Sequence, residues 1–227
     1  MNPGRAALAL LTVLTVVSAA LSIASAPWAL GQPWLNFVFK PLATVLIIVM
    51  AWPRGRAVPL QRRWVLAGLL LSLAGDVALL WPQQGFLPGL VSFLLAHLAY
   101  LLAFTRTQRL AARWWPFAAY AGVAAVVLAG LWPGVPAALR VPVLAYVLCL
   151  GAMAAQAAVL WRCQPADAAA RRLALGGALF LVSDALLATS RFATPLPMAS
   201  LWILASYWCA QACIASWLPA GVASAQR

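Results

Sequence analysis

Acid is what this sequence has least of: three carboxylate side chains in 227 residues, Asp76, Asp167 and Asp184. Lysine and histidine are scarcer, with Lys40 and His97 the only ones. Each shortage excludes something. No P-loop, G-x-G-x-x-G or H-E-x-x-H occurs, which removes phosphate-cradling and zincin chemistry. The one histidine has no G-x-S-x-G around it, and Ser92 lies off its helical face, so a nucleophilic triad is disfavoured. Cys209 and Cys213, one helical turn apart, make a poor metal site beside a single histidine and read as small buried hydrophobes. Charged residues are 8% of the chain against 66% hydrophobic, with a mean hydropathy of +0.95, and no soluble domain of this length tolerates that balance. The formal charge of +12 would suggest nucleic acid in a soluble chain. Here the arginines sit in short loops between apolar runs, so they are topology signals and contacts to anionic membrane lipid, with no nucleic-acid partner.

What is present is apolar sequence in bilayer-length runs. Cutting at Pro, Gly and Arg clusters gives eight, near residues 6–25, 33–52, 64–81, 86–105, 114–132, 140–161, 171–191 and 197–218. They are continuously apolar without period-two alternation, so the expected fold class is all-α. The expectation is a polytopic transmembrane bundle of eight helices, one integral membrane domain over 1–227. The first run carries Arg5 and Ala24-Ser25-Ala26, resembling a secretory leader and its cleavage site. It is long for a leader's apolar core, and its removal would leave an odd number of spans, so a retained helix is expected. With the N-terminus inside, the inner segments hold Arg5, Arg54, Arg56, Arg62, Arg63, Arg106, Arg109, Arg113, Arg162, Arg171, Arg172 and Arg227. The outer ones hold Arg140 and Arg191, which predicts both termini in the cytoplasm of a bacterial-type inner membrane.

Against that background two aspartates stand out. Asp76 lies in WVLAGLLLSLAGDVALLW and Asp184 in LALGGALFLVSDALLA, each about a dozen residues after an arginine pair. A carboxylate at such depth costs roughly 2.5–3.5 kcal/mol on insertion scales and is by default functional. At 1.5 Å rise per residue both sit roughly 18–20 Å from the inner ends of their helices. The matched depth predicts one cavity, with the two acids on adjacent helices and Lys40 in reach of at least one. Helical faces agree. Asn36, Lys40 and Thr44 form one stripe, and Gly68, Ser72, Gly75 and Asp76 a small-residue face. Phe93, His97, Tyr100 and Phe104 form another stripe; Ser183 adjoins Asp184, and Tyr207 and Gln211 lie one turn apart.

One lysine neutralises one carboxylate, and a second carboxylate in the same dry pocket is cheaper in its neutral form. That leaves one general acid and one general base, the pairing that hydrolysis of an acetal-like or vinyl ether bond requires. Two other readings stay open. A small-solute or proton-coupled transporter also uses midplane acids, and LAGDVALL and LVSDALLA hint at a parallel repeat of helices 1–4 in 5–8. A non-catalytic membrane protein would use the acids to hold helices together.

Taken in order, Phe39-Lys40-Pro41-Leu42, Leu71-Ser72-Leu73-Ala74-Gly75-Asp76, Phe86 with Gly89, Ser92-Phe93, His97, Tyr100 and Phe104, Val182-Ser183-Asp184, and Tyr207 with Gln211 resemble the YhhN-type lysoplasmalogenase family of eight-helix membrane proteins. The resemblance implies hydrolysis of the vinyl ether bond of a lysophospholipid, giving a fatty aldehyde and a glycerophospho-ethanolamine or -choline. It implies Asp76 and Asp184 as the paired acids and Lys40, His97 and Tyr207 as pocket residues. A neutral carboxylic acid protonates the vinyl ether and a carboxylate stabilises the resulting cation, so no metal or organic cofactor is expected. Asn36, Tyr100, Ser183 and Gln211 complete the expected substrate-binding set, with Arg191 about two turns outward of Asp184 to hold the phosphate.

Overall fold

The computed structural model describes residues 3–220. It consists of eight helices: α1 (Pro3–Ala24), α2 (Pro33–Ala51), α3 (Pro59–Ala78), α4 (Phe86–Thr105), α5 (Trp115–Leu131), α6 (Arg140–Cys163), α7 (Ala168–Phe192) and α8 (Ala199–Trp217). Two short 3₁₀ turns, Trp132–Gly134 and Ala137–Leu139, join α5 to α6, and no strand occurs among the described residues. Arg227, counted above among the inner charges, lies outside them.

The helix ends follow local chemistry. Pro33 and Pro59 open α2 and α3, where a missing N–H costs nothing. The chain turns ahead of each at a glycine in the left-handed region, Gly31 (φ 62°) and Gly55 (φ 70°). Asp167, the third acid, caps α7 by accepting the Ala169 N–H at 2.8 Å.

Seven helices are long and apolar enough to cross a membrane; α3 is not among them. It begins at Pro59, five residues before the predicted start at 64, and so contains Arg62 and Arg63 as well as Asp76. The outward faces carry large apolar side chains such as Val126 (75% exposed), Val141 (77%) and Leu148 (64%). A surface of that kind suits hydrocarbon rather than water, and the protein is an integral, multi-pass membrane protein.

The closest helix pairs are α3 with α4 and α7 with α8. The small face of α3 explains the first. A Cβ on Gly68 would stand 2.3 Å from the Tyr100 ring, and one on Gly75 would stand 2.6 Å from the Phe93 ring, so two aromatic rings of α4 lie where α3 has no side chain. Exchanging α2, α3 and α4 for α6, α7 and α8 maps the α4–α6 packing onto α8–α2, in keeping with an internal repeat. The outer members follow it in part: α1 packs on α2 as α5 packs on α6, but α1 also meets α8 whereas α5 also meets α7.

Side chains also lock the loops to the bundle. Arg54 Nε and Nη2 donate to the carbonyls of Leu218 and Ser216, each at 2.9 Å, while Gly55 N–H reaches the Pro219 carbonyl at 2.8 Å. The loop after α2 thus caps the end of α8 with a cation. Buried Gln156 of α6 accepts the Ala111 N–H at 3.1 Å and donates to the Gln108 carbonyl at 3.0 Å, holding the segment between α4 and α5.

Candidate active site

Asp76, near the end of α3, is 1% exposed and surrounded by donors. Its Oδ2 accepts the Thr44 hydroxyl at 2.6 Å and the Tyr207 hydroxyl at 2.7 Å. Lys40 Nζ stands 3.9 Å from its Oδ1, the only ion pair among the described residues. The Trp208 indole N–H donates to Thr44 Oγ1 at 3.2 Å and fixes that hydroxyl in turn. The polar stripe of α2 therefore serves the acid of α3, with α8 closing the cluster.

Asp184 on α7 has a different setting. It is half-buried, and its Oδ2 accepts a hydrogen bond from the Tyr146 hydroxyl of α6. The tyrosines holding the two acids are joined by a row of rings set edge to face. Tyr207 and Phe180 have centroids 5.6 Å apart, Phe180 and His97 4.5 Å, and His97 and Tyr146 5.3 Å.

A cavity of about 250 Å³ meets this row at Tyr207, and Asn36, Lys40, Asp76, Ser183, Asp184 and Arg191 line it too. The acids do share a cavity, but not on adjacent helices as expected. α3 and α7 are not a packed pair; α8 lies against both, so the carboxylates approach from different sides. Asn36 accepts the Ser22 hydroxyl at 3.0 Å, which brings α1 into the wall. Ser183 instead turns its hydroxyl to the Ile203 carbonyl at 3.0 Å and ties α7 to α8. Arg191 lies over the Phe86 ring, 4.9 Å from its centroid.

Three nominated residues stand behind the wall. Tyr100 donates to Gln211 Oε1 at 2.7 Å, a brace between α4 and α8 that does not line the cavity. His97 is fully buried against Phe180 and Tyr146, and neither ring nitrogen has a hydrogen-bond partner among the described residues. Among those residues no three His, Cys, Asp or Glu side chains gather in one place, so they offer no three-ligand metal seat. Cys209 is exposed and Cys213 only partly buried, contrary to their reading as core. Cys213 packs on Gly176 of α7, where an added Cβ would stand 2.9 Å from its own.

Tyr146 and Trp208 were missed by the sequence reading, and Thr44 was placed on its stripe without a role. Tyr146 had a usable signal: it is one of only four tyrosines and sits within an apolar run. Trp208 had none, being one of 12 tryptophans.

Comparison with known proteins supplies the family. Residues 35–218 match the model of the YhhN family. The human lysoplasmalogenase TMEM86A is 33% identical over 194 residues, 80% of this chain and 77% of that protein. The lysoplasmalogenase of Mycobacterium bovis is 32% identical over 203 residues, covering 83% and 71% respectively. The membrane protein YhhN of Escherichia coli O157:H7 is 32% identical over 157 residues, covering 68% and 73%. No solved structure matches. With residues 35–218 matching the family model and four-fifths of its length aligned to a relative at 33% identity, the chain belongs to the YhhN family.

Proposed function

We propose that this protein is a membrane-embedded lysoplasmalogenase, cleaving the vinyl ether bond of a lysophospholipid by metal-free acid–base catalysis in an inner membrane of bacterial type. The observation that carries the reading is the unequal setting of two carboxylates on one cavity. Asp76 has a cation at 3.9 Å and two hydroxyl donors, a setting that suits an ionised carboxylate. Asp184 has one phenol and, among the described residues, no cation within ion-pair distance, a setting that suits a carboxylic acid.

The chemistry follows from that difference. Asp184 gives its proton to the chain-side carbon of the vinyl ether, and the positive charge that forms on the oxygen-bearing carbon faces the Asp76 carboxylate. Water adds to that carbon and loses a proton to Asp76. Asp76 then returns the proton to the departing glycerol oxygen as Asp184 takes the hemiacetal hydroxyl proton, releasing aldehyde and alcohol with both groups restored. Arg191 at the cavity wall is the cation for the phosphate, and Asn36 with the Ser22 hydroxyl faces the glycerol.

Names of relatives support the substrate class, since human and mycobacterial relatives are named lysoplasmalogenase. The transporter reading gains no support, because Leu69, Tyr100, Phe104 and Ile214 are all fully buried and pack the half of the bundle away from the cavity. Aldehyde release from lysoplasmalogen by detergent-solubilised, purified protein after exhaustive chelation is the test. Activity that requires a sealed vesicle, or that chelation removes and zinc restores, overturns the proposal.

A further inference from the structure

A second cavity, of about 100 Å³, lies between α4, α5, α6 and α7 and shares Leu79, Phe86, Phe93, Asp184 and Leu187 with the first. Apart from Tyr146 and Asp184 its lining is hydrocarbon and aromatic ring. Its walls are regular. α5 presents Ala124, Val127, Leu128 and Leu131, at i, i+3, i+4 and i+7, and α6 and α7 repeat that spacing with Tyr146 and Asp184 as members. Three helices thus turn a whole face toward a space that protein does not fill. Close-packed interiors do not leave such stripes without an occupant.

The surroundings say where the occupant comes from. Of α5 only Pro116 and Leu131 are buried. Among the described residues α5 packs on α6 and α7 but is not a packed partner of α4, although both line the cavity. That side faces the bilayer. The end near the α5–α6 connection is shut, with Phe86 and Phe192 edge to face at 5.7 Å and Gly134 so close that a Cβ there would meet the Phe192 carbonyl at 1.7 Å. A cavity of this size takes only the first part of a long alkyl chain, and the remainder must leave sideways.

We infer that this apolar cavity holds the alkenyl chain of the substrate, admitted sideways from the bilayer between α4 and α5, and that the inner face of α5 sets which chain lengths are accepted. The inference rests on the lysoplasmalogenase reading and adds to it a second subsite that meets the polar one at Asp184. Ala124 is the position of control. It lies seven residues before Leu131, as Ala185 lies seven before Phe192, so it stands across the cavity at the level of Asp184.

Two measurements test it. Ala124→Phe puts a ring into the cavity, while Val123→Phe, at a position that is 50% exposed and outside the lining, puts the same ring into lipid. The ratio of kcat/KM for a long-chain over a short-chain alkenyl lysophospholipid is expected to fall about tenfold in the first and to stay at the wild-type value in the second. An unchanged ratio in Ala124→Phe overturns the inference. The second measurement does not need turnover: a non-hydrolysable 1-O-alkyl lysophospholipid with a diazirine in the first part of its alkyl chain, next to the ether oxygen, is cross-linked to the wild-type protein and the modified peptides are mapped. Label on α5, α6 and α7, displaced by unlabelled lysophospholipid but not by diacyl phospholipid, is the expected result, and it stands even if the hydrolase reading fails. Label confined to other helices, or displaced equally by diacyl lipid, overturns it.

Discussion

Asp76 and Asp184 are one side chain in two chemical settings, and substitution separates them. Either aspartate changed to asparagine keeps its size and loses proton exchange, so turnover is expected to fall by more than about tenfold in both, with helical content unchanged by circular dichroism. Stability divides them. Asp76→Asn leaves buried Lys40 without its counter-charge and is expected to lose about 3 kcal/mol by thermal unfolding in detergent. Asp184→Asn strands no charge and keeps its melting point near wild type. Adding Lys40→Met to Asp76→Asn restores stability but not activity. On the proposed mechanism, activity needs Asp76 ionised and Asp184 protonated together. Its pH profile is therefore expected to be a bell, falling on the acid side as Asp76 gains a proton and on the alkaline side as Asp184 loses one. Tyr146→Phe removes the donor to Asp184 and is expected to move the alkaline limb alone, and a shift of both limbs counts against these roles. His97→Gln, behind the cavity wall, is expected to be milder than either aspartate change.

Among the elements, α3 is where small residues decide most. Gly75 gives its space to the Phe93 ring, and Phe93 lines both cavities. Gly75→Ala is expected to cost about 1–3 kcal/mol of stability by overpacking and to lower kcat/KM as well, whereas Gly122→Ala on α5, with open space around it, is expected to change neither. A thermal melt and a turnover assay on the two variants check this. Most of the elements were legible in the sequence, because runs of apolar residues between Pro, Gly and Arg clusters have one solution in a bilayer. The start of α3 was not: the arginine pair looked like loop, yet Pro59 starts a helix wherever it stands at a first turn. The site was legible in part. Lone ionisable residues inside apolar runs announce themselves, which is how Lys40, Asp76 and Asp184 were found. Which residues meet across the bundle depends on helix pairing, and pairing leaves no local mark. Periodicity alone therefore could not give the Tyr146–Asp184 contact, the retreat of His97, Tyr100 and Gln211 behind the wall, or the separation of α3 from α7.

For the whole molecule, the near repeat of α2–α4 in α6–α8 sets one acid in each half, and a single lysine makes the halves unequal. Asp76 on α3 takes the Thr44 hydroxyl from α2, and Asp184 on α7 takes the Tyr146 hydroxyl from α6. The pattern is the same, but no lysine answers Lys40 in the second half. Charge also predicts an orientation. With twelve arginines assigned to inner segments and two to outer ones, both termini are expected in the cytoplasm. Reporter fusions to the loops at 52–58 and 132–139 check this, with cytoplasmic signal from the first and external signal from the second.

The Lys40–Asp76 pair has a meaning for synthesis as well as for chemistry. α3 falls short of the membrane-spanning composition that the other seven helices reach, and it emerges directly after α2, which carries the opposite charge. Asp76 can therefore leave the translocon with its charge already answered, α2 and α3 partitioning together as a hairpin, whereas α3 alone carries an open charge into lipid. On the proposed mechanism, the lysine that keeps this carboxylate ionised is thus also the one expected to ease its helix into the bilayer. In a translocon insertion assay α3 by itself is expected to insert poorly, the α2–α3 hairpin well, and the hairpin with Lys40→Ala no better than α3 alone.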